Sequence, residues 1–93
     1  MEKTDLTTHA CEQVLRFTRA AHWNDLTEER KVQLGFNMGL MAMALGINKE
    51  EGYTTLSQAR EGHITMQAFH THLQTLITRH NVPTNPAHIA RPF

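Results

Sequence analysis

No aspartate or glutamate occurs between Gly62 and Phe93. All nine carboxylates lie in residues 1–61, against seven of the nine Lys/Arg, which leaves that part with a formal charge of about −2. The rest of the chain holds only Arg79 and Arg91 as full cations, beside His63, His70, His72, His80 and His88. A solvated helix ordinarily mixes both signs of charge, so an acid-free stretch suggests a surface that meets something.

Other absences exclude whole classes of protein. The single cysteine, Cys11, rules out an internal disulfide, and nothing resembles a cleaved signal peptide. A reduced, cytoplasmic setting is therefore expected. The formal net charge of +0 lacks the basic excess of a general nucleic-acid binder. No apolar run is long enough for a bilayer. The longest, Leu34 to Ile47, spans 14 residues with Asn37 as its polar interruption, short of the roughly 18 that a membrane helix needs. A buried helix is expected there. There is no Gly-rich phosphate loop, no nucleophile elbow, no HExxH and no CxxCH. No catalytic residue and no cofactor is assigned.

What is present points to one all-α domain covering residues 1–93. At 93 residues there is no room for a second core, and 40% hydrophobic residues with 19% charged suit a globular chain. Leu6, Ala10, Val14, Phe17 and Ala21 recur at helical steps and predict a first helix over about 5–22, flanked by Cys11, Leu15 and Thr18. Thr27 followed by Glu28 and Glu29 predicts a second helix ending near Leu45, with Gly46 in the left-handed conformation behind it. Asn48 to Glu51 reads as a capped turn interrupted by Gly52. Thr55-Leu-Ser-Gln58 has the capping-box pattern of a short helix ending at Gly62. Thr65 caps a last helix whose buried stripe would be Met66, Phe69, Leu73, Leu76 and Ile77, with His70 and His80 also on that stripe by the helical wheel, and Asn81-Val82-Pro83 stops it. Pro83, Pro86 and Pro92 predict an extended tail over 82–93, strapped across the bundle through Ile89 and Phe93. The expected architecture is a small helical bundle of three main helices plus one short helix and a Pro-rich extended tail.

Candidate sites are few. Gly35, Gly39 and Ala42 share one side of the second helix, at a cost of about 0.5–1 kcal/mol for each interior glycine. Close approach of another helix would explain them: the first helix, the last, or the same helix of a second subunit. With Met38 and Met43 they form the expected self-association surface, and a homodimer is the expected state. Thr71, His72, Thr75, Thr78 and Arg79 form the expected partner-binding side of the last helix, which carries almost no charge where a solvated face would carry Glu and Lys. The partner would be a protein.

Two other readings compete. Residues 55–78 have the outline of a helix-turn-helix, but the would-be recognition helix offers Thr65, Gln67, Gln74 and further threonines with almost no Lys or Arg for phosphates, which disfavours nucleic acid. The histidines suggest a metal protein, yet His70 and His72 point about 200° apart on a helix, and His9-x-x-Glu12 supplies only two ligands. No metal ligand is assigned. The favoured expectation is a non-catalytic interaction module, a small regulator, adaptor or inhibitor of a larger complex.

Overall fold

A computed structural model of the chain describes residues 3–91, and the side chains of 6–48, 50 and 52–91. Five helices occur in it: α1 (Lys3–Phe17), α2 (Glu28–Leu45), α3 (Lys49–Arg60), α4 (Met66–Arg79) and the single turn α5 (Pro86–Ile89). A 3-10 turn, Trp23–Asp25, joins α1 to α2. No strand occurs among the described residues. Helix α1 packs against α2, α4 and α5, and α3 packs against α2 and α4.

The helix starts follow their caps. Thr27 accepts the Arg30 N–H at 3.2 Å, and Thr65 accepts the Ala68 N–H at 3.0 Å, so each hydroxyl satisfies a first-turn donor. Gly46 ends α2 at φ 69°, and the Ile47 N–H reaches back to the Ala42 carbonyl at 2.9 Å. The core gathers Val14 and Phe17 of α1, Leu34 and Met41 of α2, and Phe69 and Leu73 of α4, all nearly or wholly buried. Asn37 is buried as well, and its side-chain N–H donates to the Gln33 carbonyl at 2.8 Å, so the polar break in the apolar run is satisfied within its own helix.

Three expectations need correction. Helix α1 ends at Phe17, not near His22, because the Arg19 and Ala20 N–H groups bond to Arg16 and Phe17, three residues back. That tightened exit carries Ala20 into the core and leaves Ala21 outside. The buried stripe also turns: Leu6 is exposed, while Cys11, Leu15 and Thr18 are buried. Helix α3 is twelve residues long, so four helices are substantial. Asn48 starts it by accepting the Glu50 N–H at 2.9 Å, and Gly52 lies inside the helix instead of breaking it.

The tail is the third correction. Residues 82–93 are not extended throughout, since Pro86–Ile89 form a helical turn. Asn85 caps it, accepting the Ala87 N–H at 3.0 Å, and Pro86 at the first helical position has its φ already set. Ile89 does pack against the core. Phe93 lies outside the described residues.

Candidate functional site

Helix α2 shows bulk hydrophobe on both sides. Leu34 and Met41 face the core, whereas Val32, Phe36 and Met43 are 71%, 67% and 60% exposed. Val32, Phe36, Gly39 and Met43 fall within about 60° of one another around the helix, roughly opposite Leu34 and Met41. No charged residue occurs from Val32 to Asn48. Exposed single hydrophobes are ordinary, but a stripe of them on the side away from the core makes this face a candidate contact surface.

Tyr53 of α3, half exposed, extends this stripe. A Cβ placed on Gly39 would stand 3.5 Å from the Tyr53 hydroxyl, and one placed on Gly35 would meet nothing within 4 Å. At Gly39 the intramolecular neighbour is thus α3, while Ala42 lies at the seam shared with α3 and α4. Between α2 and α3 lies an open groove, floored by Val32, Gly35 and Leu56, with Trp23 and Arg60 at one end. Lys31 is committed there: it pairs with Glu28 at 3.0 Å and donates to the Asn24 side chain at 3.2 Å.

The five residues expected to self-associate are divided by the fold. Met38 and Ala42 are 4% and 5% exposed and belong to the core side. Gly35, Gly39 and Met43 lie toward the outer stripe. Val32 and Phe36 were absent from the set expected from the sequence, although their i, i+4 spacing, with Met43 about two turns further along, was visible there.

On α4, Thr71, His72, Thr75, Thr78 and Arg79 are all exposed, as expected of an outward face. The Thr71 hydroxyl donates to the Gln67 carbonyl at 3.0 Å and the Thr75 hydroxyl to the Thr71 carbonyl at 2.9 Å. These polar groups are satisfied within the helix. His72 stands at the seam where α2, α3 and α4 meet, beside Met38, Gly52 and Leu76.

The histidines do different things. His70 is partly buried, with Nδ1 2.9 Å from the Thr18 hydroxyl. That hydroxyl donates its one proton to the Val14 carbonyl at 2.9 Å, so the imidazole is the donor in the contact. Burial holds the His70 pKa below its usual value, opposed by the Leu15 backbone and assisted by the Arg19 cation. His80 is not on the buried stripe: it caps α4 and is exposed, because the helix stops at Arg79 and Asn81 turns at φ 57°. His88 donates through Nδ1 to Glu12 at 3.0 Å, and the same buried carboxylate accepts the Asn85 N–H at 2.6 Å. Arg19 adds a bond to the Ile89 carbonyl at 2.8 Å. One edge of α1 thereby holds α5, a role that sequence spacing did not reveal.

No protein-family model, curated protein or solved structure matches the chain. Among the described residues no group of three or more His, Cys, Asp or Glu could hold a metal ion. Cys11 is fully buried, and burial, with help from Glu12, pushes its thiol up to about 11. Such a thiol is a poor nucleophile. No helix among them is long and apolar enough to cross a membrane.

Proposed function

We propose that this chain is a non-catalytic protein–protein interaction module, a small regulator, adaptor or inhibitor of a larger assembly, and that it works through the outer stripe of α2. The observation that carries this reading is the position of Val32, Phe36 and Met43, exposed on the side of α2 that faces away from its core. Apolar area kept in water is unfavourable by about 25 cal/mol per Å², so a binding partner that covers it gains what the fold leaves unused. A cytoplasmic setting goes with the proposal, on the strength of a lone cysteine that cannot pair within the chain.

The nucleic-acid reading gains no support from α4, whose outward face presents threonines and only Arg79 as a cation. The test is affinity capture from native extract with the parent chain and with Phe36→Glu as baits. Phe36 makes so little internal contact that the variant should keep the parent's circular dichroism. Loss of the captured proteins supports the proposal. Equal capture by both baits removes α2 as the contact face.

A further inference from the structure

The outer stripe of α2 is symmetric about its own midpoint. Val32, Phe36, Gly39 and Met43 are spaced four, three and four residues apart. Turning the helix end for end about a two-fold axis between Phe36 and Gly39 therefore maps the stripe onto itself. It brings Phe36 over the partner's Gly39 and Val32 over the partner's Met43. The sizes match in that arrangement. The exposed Phe36 ring is a knob, while Gly39 offers no side chain and has the Tyr53 hydroxyl as a wall, 3.5 Å from where its Cβ would stand, with open space at Gly35 one turn before it. Each knob then has a hole, twice over, as an isologous contact requires.

Charge fits the same arrangement. Antiparallel helices align opposite dipoles, and the uncharged stretch after Lys31 brings no like charges together. The last turn of α2 contains no basic residue, so the negative end of its dipole is uncompensated within the helix. The two-fold places that end beside the first turns of the other α2. Arg60 stands there, next to Trp23, Glu28 and Lys31. Glu28 comes to the same place but is paired with Lys31 at 3.0 Å, so the exposed Arg60 guanidinium is the charge that meets the helix C-terminus.

We propose that the occupant of the α2 face is a second copy of this chain, with the two α2 helices packed antiparallel about a two-fold axis between Phe36 and Gly39. This rests on the reading of α2 as the contact face and names its partner. An 18-residue helix is roughly 27 Å long. A contact built mainly on one helix pair lies at the small end of specific interfaces, below about 1,200 Å² in total, so assembly is expected in about the micromolar range.

Sedimentation of the parent chain from about 1 to about 200 µM should show a monomer–dimer equilibrium, shifted toward monomer about tenfold or more by Phe36→Glu and by Gly39→Leu. Val32→Cys and Met43→Cys chains test the register. Mixed and oxidised, they should give a cross-linked dimer, while neither should cross-link with itself. Cys11 is fully buried and does not compete. Self-cross-linking of each single variant would mean parallel packing and overturn the proposal. So would a parent chain that stays monomeric throughout. In that second case, loss of captured proteins by Phe36→Glu would still support α2 as a contact face for a different protein, so the two readings fail separately.

Discussion

From Val32 onward the outward face of α2 carries no charge, and the outward face of α4 carries only Arg79, yet Val32, Phe36 and Met43 give the first a surface that water wets poorly, whereas the second closes the Thr71 and Thr75 hydroxyls onto its own carbonyls. On α4 the missing charge leaves nothing unsatisfied. A threonine bonded to the turn behind it asks for no partner, and its methyl group is small. On α2 the missing charge leaves bulk hydrocarbon in solvent. Absence of charge in a sequence is thus two signals, and the side-chain chemistry beneath it decides which is being read.

The largest effect separating the two helices concerns their opposite sides. Phe69 of α4 is fully buried and Phe36 of α2 is 67% exposed. Phe69→Ala should cost about 3–5 kcal/mol, and Phe36→Ala about 0.5 kcal/mol or less in a dilute monomer. Urea denaturation compares them directly, and similar losses would mean that α2 does not present the face described. Next comes association. Phe36→Glu should weaken self-association about tenfold or more, while Thr71→Glu and Thr75→Glu, outside that face, should leave it within about twofold. A reversed ranking by sedimentation would transfer the contact to α4, the side that the sequence favoured for a partner.

A smaller effect belongs to the edge of α1. Glu12→Ala removes the acceptor shared by Asn85 and His88, and should cost about 1–2 kcal/mol. Faster hydrogen exchange at the Asn85 amide, with the α2 core unchanged, is the signature. Unaltered exchange would show that Arg19 and Ile89 hold α5 without it.

The smallest effect is on pH. His70 has its folded pKa depressed by burial, so it contributes stability that is present above the unfolded value near 6.5 and lost as pH falls through the folded value. Among the described residues the full charge that acts on it is that of Arg19, which also disfavours the protonated form. Melting at about pH 7.5 and about pH 5.5 should show a decline that is reduced in His70→Gln. Identical declines would assign the pH response elsewhere.

The sequence disclosed what local chemistry controls. Thr27, Thr65 and Gly46 stood at the helix ends because a cap needs only its own turn. The stripe of Met66, Phe69, Leu73 and Ile77 was legible because one face of α4 meets the core and the other meets water. Where tertiary contacts decide, local pattern misled. Cys11, Leu15 and Thr18 were read as flanks, but α1 is covered by three neighbours and buries a wider arc than one stripe. Gly52 looked like a break, although its penalty of about 1 kcal/mol is small against a twelve-residue helix packed on two others. Part of the candidate site was visible too. The apolar run of α2 announced that something must cover it, but only the fold shows that Met38 and Ala42 are already covered and that Val32 and Phe36 are not.

The fastening of α5 to α1 also sets an order of events during synthesis. Glu12 and His88 are 76 residues apart in the chain, a separation that makes their contact among the slowest to form. A nascent chain can assemble α1 with α2 as soon as both have emerged, since their apolar faces are local partners. The carboxylate of Glu12 then remains hydrated at the edge of that pair until residues 85–89 arrive. Among the described contacts, those of the α1 edge with residues 85–89 are thus expected to form late. A chain interrupted before Asn85 should fold its centre, keep that edge open, and be cut there first by a protease.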